Sequence, residues 1–147
     1  MRRIELNLTA ALFLACCSCG VARSPEEVLG EYQLVAHPVT IFLQVSPANR
    51  YSEEIASLGR PPANIQGKWI WGSGSICFQH FAIPRQIIPK DLRGLYPRKQ
   101  ISSGQDQQNY WDNWCLSAEN FWGKKRLVVF PDFDVYFEMN TRRRSRQ

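Results

Sequence analysis

The feature that most constrains the fold of this 147-residue chain is the segment Gln66–Phe81, in which two aromatic and β-branched runs flank Gly-Ser-Gly-Ser. This pattern predicts a β-hairpin with its loop at Gly72–Ser75. The facing pairs are then Trp71–Ile76, Trp69–Phe78 and Gly67–His80. Because side chains alternate across a strand, one face carries Trp69, Trp71, Ile76 and Phe78, and the other carries Lys68, Ile70, Cys77 and Gln79. The hairpin is therefore expected to be half-buried, and its apolar face lines either a core or a pocket.

Further strand-like segments lie on both sides of this hairpin. They are Gly30–Ala36, Val39–Val45 and Tyr51–Ile55 before it, and Trp114–Ala118, Lys125–Phe130 and Phe133–Met139 after it. In the last pair Leu127 is expected opposite Phe137, because the alternative register would turn Arg126 inward and bury a charge. About eight short antiparallel strands predict an all-β fold, a meander closing into a small barrel. A two-sheet β-sandwich of the same strands is the alternative.

The N-terminus predicts a targeting segment rather than part of the fold. Met1-Arg2-Arg3 is positively charged, and the apolar run Leu8–Ala15 follows it. This run is too short to cross a bilayer, which takes about 20 apolar residues. Residues 1–15 are therefore predicted to be a signal peptide, and the mature chain is expected outside the cytoplasm.

The end of this segment, Phe13-Leu14-Ala15-Cys16-Cys17, resembles the lipobox of bacterial lipoproteins, in which a cysteine becomes lipid-modified. The resemblance implies lipid attachment at Cys16, with Cys17 as the second choice. It also implies a chain anchored to a membrane of the bacterial cell envelope. The alternative is an ordinary cleaved secretory leader. Residues 16–29 are then expected to form a lipidated tether.

Short motifs in the body resemble small bacterial lipocalin-like lipoproteins. They are Gly30-Glu31-Tyr32, the strand and turn of Leu43–Tyr51, Gly67-Lys68-Trp69, and the Ile-x-Phe of Ile76–Phe78. The resemblance implies one lipocalin-like barrel domain over residues 30–140, with an interior that could hold a small apolar ligand.

Two segments lack any strand pattern. Ala82–Asp112 is rich in Pro, Gln, Gly and Arg, and a loop of this length is expected to be a lid or a binding loop. Residues 141–147 form a basic tail with four arginines, which carry most of the net charge of +5. The tail is expected to be a solvated end or to be attracted to anionic lipid. Because an exported protein seldom meets nucleic acid, no nucleic-acid partner is expected.

No residues predict catalysis. Cys77 and His80 stand three apart on a strand and so point to opposite faces, which argues against a metal site. Asp132 and Asp134 are expected on one strand face, more as solvated acids than as an acid–base pair. The sequence has no recognisable Ser-His-Asp set and no phosphate-binding loop. The chain is therefore expected to be no enzyme and to need no cofactor.

Cys77 and Cys115 are candidates for a disulfide. Export places both thiols where disulfides persist. Each lies on the polar face of its strand, and the two strands are consecutive, so both side chains can point the same way. Two free, half-buried thiols are the alternative.

The function expected from the sequence is that of an exported, membrane-anchored lipoprotein that binds or interacts rather than catalyses. One hypothesis is a carrier that holds a small apolar molecule in the barrel, with Ala82–Asp112 as its lid. The other is an envelope structural or protein-interaction lipoprotein with a solid core. A carrier needs an apolar cavity of roughly 300 Å³ or more, so the barrel interior separates the two.

Overall fold

A computed structural model describes residues 20–95 and 109–140 of the chain. The strands are β1 (Gly20–Val21), β2 (Gly30–Ala36), β3 (Val39–Ser46), β4 (Arg50–Ser57), β5 (Ala63–Gly72), β6 (Ser75–Pro84), β7 (Asn109–Phe121), β8 (Lys124–Phe130) and β9 (Val135–Met139). Short 3-10 turns cover Pro25–Val28, Lys90–Leu92 and Pro131–Phe133. Within the described residues, no helix is both long and apolar enough to span a membrane.

The strands form a closed antiparallel barrel. Each of β2 to β8 pairs with the next strand in the chain, and β9 also pairs with β2. This last pairing closes a ring of eight strands, to which β1 adds as an extra strand beside β7. The predicted all-β barrel is confirmed, and the alternative of a two-sheet sandwich is wrong.

The predicted register of the β5–β6 hairpin is confirmed over its outer half. Trp71 pairs with Ile76 and Trp69 with Phe78, so the apolar face turns inward as expected. The predicted pairing of Gly67 with His80 is wrong. Gly67 pairs instead with Tyr51 on the other side of β5, since β6 leaves the ladder after Phe78.

A β-bulge causes this departure. Phe78 pairs with Trp114 and Phe81 with Asp112, so β6 has one residue more than β7 between these two pairs. His80 adopts a φ of 59° within the bulge. Because of the extra residue, Phe78 and Phe81 both point into the barrel, although strict alternation would put them on opposite faces.

The predicted loop Ala82–Asp112 is too long at both ends. Strand β6 runs to Pro84, and β7 begins at Asn109. The alternation pattern could not predict the end of β6, because consecutive residues there (Phe81, Ala82 and Ile83) are all buried and apolar. Beyond β6, Ile87 and Ile88 also pack into the core. Residues 96–108 of the predicted loop lie outside the described part of the chain.

From Gly20 onward, the segment predicted as a tether (residues 16–29) packs against the barrel. Gly20 and Val21 pair with Asn120 and Glu119 of β7. The 3-10 turn that follows buries Val28, whose carbonyl accepts a hydrogen bond of 2.9 Å from the Tyr32 hydroxyl. Apolar contact and backbone pairing therefore hold this segment against the barrel.

The β8–β9 hairpin has the predicted register, with Leu127 opposite Phe137. Its turn is longer than predicted, because Pro131–Phe133 form a 3-10 turn and Asp134 has a φ of 52°. The expectation that Asp132 and Asp134 share a strand face is therefore wrong. The two acids belong to the turn.

Candidate functional site

The barrel interior is the first candidate site, and aromatic rings fill much of it. The Phe78 and Phe81 rings stack with centroids 4.8 Å apart. The edge of Tyr51 meets Phe78 at 4.9 Å, and Phe81 meets Phe137 at 6.0 Å. These residues come from β4, β6 and β9, so the cluster joins opposite walls of the barrel. This packing is typical of a solid core.

The four predicted lining residues belong to this core. Ile76 and Phe78 are fully buried, and Trp69 is nearly so, whereas Trp71 is only partly covered at the edge of the core. The Trp69 indole Nε1 donates hydrogen bonds to the carbonyls of Ser46 (3.1 Å) and Arg50 (3.0 Å). The indole thereby ties β5 to the two ends of the β3–β4 turn. The structure thus brings the four residues together as the apolar face of the hairpin.

Glu53 is the unexpected member of the interior, with only 1% of its surface exposed. Its Oε2 accepts a hydrogen bond of 3.2 Å from the Ala82 backbone N–H. Its Oε1 has no hydrogen-bond partner among residues 20–95 and 109–140. Burial raises the pKa of the Glu53 carboxyl well above its ordinary value, and the Ala82 hydrogen bond opposes this only in part.

A polar contact at the β6 bulge lies next to Glu53 along β4. The Tyr51 hydroxyl donates a 2.8 Å hydrogen bond to the Gln79 carbonyl. The Tyr51 ring passes directly over Gly67, where a Cβ would lie 2.5 Å from Tyr51 Cε1 and 2.7 Å from the Gln79 oxygen. The missing side chain at Gly67 therefore makes room for this contact. Burial raises the pKa of the Tyr51 hydroxyl.

Among the residues that the structure describes, two clefts open on the outside of the barrel. One of about 620 Å³ lies between β2 and β9, where the ladder consists of the two pairs Tyr32–Met139 and Gln33–Glu138. The other, of about 410 Å³, runs over the outer face of β2 to β5 around Phe42. Polar side chains line much of both clefts, which distinguishes them from an apolar carrier pocket.

Cys77 and Cys115 pair directly across β6 and β7. Their sulfurs are joined at 2.04 Å as a disulfide, with the Cα atoms 3.9 Å apart. The predicted lipid-attachment residues Cys16 and Cys17 lie outside the described residues. Throughout residues 20–95 and 109–140, no group of three His, Cys, Asp or Glu side chains could hold a metal ion.

Comparison with known proteins finds no matching family model, no matching curated protein and no matching solved structure. The assignment of a site therefore depends on the residues themselves. Strand alternation puts Glu53 on the same face of β4 as Tyr51 and Ile55. The available signal was a charged residue on the apolar face of an alternating strand.

Proposed function

We propose that this chain is an exported, lipid-anchored β-barrel domain that acts by interaction rather than catalysis and has a solid core. The main support for a solid core is the cluster of packed rings in the interior, formed by Tyr51, Phe78, Phe81 and Phe137. A ligand held among these residues would have to displace packed rings. The envelope or protein-interaction hypothesis is thus better supported than the apolar-carrier hypothesis.

The lipid anchor is supported by the sequence Leu14-Ala15-Cys16-Cys17 after a short apolar run. It is also supported by the position of Gly20, which leaves the barrel on strand β1 three residues after Cys17. We expect an acyl-modified Cys16, with Cys17 as the second choice. To test this, the chain is expressed with alkyne-tagged palmitate in a bacterial host that processes lipoproteins. Intact mass and gel labelling of the purified protein then show whether it is acylated.

Single variants Cys16→Ser and Cys17→Ser identify the attachment site, and one of them should abolish labelling. Cys19→Ser is the matched control and should keep the label. An unlabelled mature chain that begins beyond Cys19 would contradict the lipid anchor.

The solid core is tested by titration with an apolar fluorescent probe such as 1-aminoanthracene. We expect no saturable binding by the wild-type protein. Phe81→Ala is the positive control, because removing a buried ring leaves a cavity that apolar molecules can enter. Saturable binding to the wild-type protein at micromolar concentration would favour the carrier instead.

A further inference from the structure

The two ends of the barrel differ in the turns and chain ends that they contain. The turns at residues 47–49, 73–74 and 122–123 lie at one end, together with the start of β2 and the end of β9. We name this the proximal end. The turns at 37–38, 58–62 and 131–134 lie at the opposite, distal end.

The N-terminal segment leaves the barrel at the proximal end. Gly20 pairs with Asn120, one residue before the end of β7, and the Ala22 N–H bonds to the Ala118 carbonyl at 2.7 Å. Gly20 follows Cys17 by three positions. A lipid anchor at Cys17 would therefore be joined to the proximal end by a short stretch of chain.

The most exposed aromatic side chain of the described residues also lies at the proximal end. Trp122 is 70% exposed at the tip of the β7–β8 hairpin, and the neighbouring Phe121 is 43% exposed. Trp122 and Gly123 both have positive φ, 52° and 77°, as the two central residues of a tight hairpin turn. Asn or Gly suits the first of these positions better than a bulky residue does. The fold itself therefore gives no reason for a tryptophan here.

Two basic side chains lie near the same tip. Lys124 follows the turn with 60% of its side chain exposed, and its ammonium forms a 2.9 Å ion pair with Glu138. The Arg126 guanidinium lies 4.8 Å over the Phe121 ring and 4.0 Å over the Tyr136 ring, and its side chain is only 18% exposed beside Glu138. Strand β9 also ends at the proximal end, where the Asn140 N–H donates a hydrogen bond to the Glu31 carbonyl near the start of β2. From Asn140 the chain continues into residues 141–147, with four arginines.

We propose that the proximal end is a membrane-contact surface, in which Trp122 and Phe121 enter the headgroup layer of an anionic bilayer. An indole combines an apolar ring with a polar N–H, which suits the boundary between lipid and water. The exposed Lys124 and the four arginines that the sequence carries within residues 141–147 suit anionic headgroups. The inference rests on the proposed membrane anchoring and adds an orientation, with the distal end facing away from the bilayer.

Quenching of tryptophan fluorescence by brominated lipid tests this orientation. The full-length chain is produced in a host that processes lipoproteins, weighed by mass spectrometry, and reconstituted in vesicles of 70% phosphatidylcholine and 30% phosphatidylglycerol. Lipid brominated near the glycerol is then added as the quencher. We expect Trp122→Asn to lose at least half of the wild-type quenching. Because Asn favours this turn, the variant should fold at least as stably as the wild type.

The matched control moves the indole to the distal end. Leu58 is 82% exposed in the β4–β5 turn, so Trp122→Asn combined with Leu58→Trp restores an exposed indole there. We expect this added indole to remain unquenched. Equal quenching of the wild type and Trp122→Asn, quenching of the indole at position 58, or no quenching at all would overturn the proposal.

The mass measurement separates this inference from the lipid anchor. A chain without acyl groups would contradict the anchor, while quenching of Trp122 in added vesicles would still report contact by the proximal end. An acylated chain whose Trp122 is not quenched would keep the anchor and reject the membrane-contact surface.

Discussion

At the scale of single residues, the buried carboxyl of Glu53 carries a free-energy cost. This carboxyl lies among aromatic and aliphatic side chains, with one oxygen bonded to Ala82 N–H and the other without a partner in the described residues. A buried group of this kind keeps its proton, because the charged form loses more hydration. Folding therefore favours the protonated acid, and stability depends on pH.

The sign of this dependence follows from the raised pKa. Below the ordinary value of 4.5, Glu53 is protonated in both the folded and the unfolded chain. Above it, the unfolded chain ionises while the folded chain does not, so the contribution of Glu53 to stability falls by up to about 1.4 kcal/mol per pH unit. The fall continues until the pH passes the folded-state pKa.

Glu53→Gln should remove this loss, because an amide matches the neutral acid in shape. Urea unfolding from pH 4 to pH 8 should show similar stability for the two proteins at pH 4 and a more stable variant at pH 8. The Glu138 carboxyl, whose pKa is lowered by its hydrogen bond with Lys124, is present in both and cancels in the difference. A difference that does not change with pH would contradict a buried neutral Glu53.

Gly67 gives a second prediction at this scale. A Cβ there would collide with the Tyr51 ring and the Gln79 carbonyl, so Gly67→Ala should lower the free energy of unfolding by about 1–3 kcal/mol. Gly72→Ala on the same strand is the matched control, because a Cβ at Gly72 meets nothing within 4 Å. Chemical denaturation measures both. Equal stability of the two variants would show that the contact over Gly67 is not tight.

At the scale of elements, the β6–β7 pair shows which features the sequence could predict. The hairpin register followed from alternation, because Trp69, Trp71, Ile76 and Phe78 recur at a period of two. The end of β6 could not be predicted, because the bulge at His80 shifts the inward face by one residue. Alternation groups Glu53 with Tyr51 and Ile55 on one face of β4, but it cannot tell a buried acid from an exposed one.

The disulfide between Cys77 and Cys115 ties this irregular pair together. It closes a loop with a sequence separation of 38, for which the chain-entropy model gives a stabilisation of about 4 kcal/mol. A chain with Cys16, Cys17 and Cys19 changed to serine should show no free thiol when it is unfolded without reductant. Cys77→Ala combined with Cys115→Ala should then unfold at lower urea concentration. Two alkylated thiols in the unreduced chain would contradict the bridge.

At the scale of the whole molecule, the extent of strand pairing varies around the barrel. β3 pairs with β4 along its full length and with β2 from Val39 to Val45. By contrast, β2 and β9 share the two pairs Tyr32–Met139 and Gln33–Glu138, beside the cleft of about 620 Å³. Local opening should therefore begin at this seam rather than in the middle of the sheet.

Hydrogen exchange followed by mass spectrometry tests this unevenness. Peptides covering β3 and β4 should take up deuterium last, and the peptide covering β9 should take it up early, because fewer backbone bonds must open together. β8 is the internal comparison, since it pairs with β7 and β9 and should lie between the two. Protection of β9 equal to that of β3 would show that the seam is as firmly closed as the rest.

The short strand β1 has a consequence for self-association. Strand β7 extends beyond the end of its pairing with β6, and Gly20 and Val21 occupy the edge that β6 leaves uncovered at Glu119 and Asn120. An uncovered edge presents free N–H and C=O groups that can recruit a strand from another molecule. Strand β1 covers this edge of β7. A shortened chain that begins at Gly30 would leave the edge open and should form edge-to-edge dimers more readily.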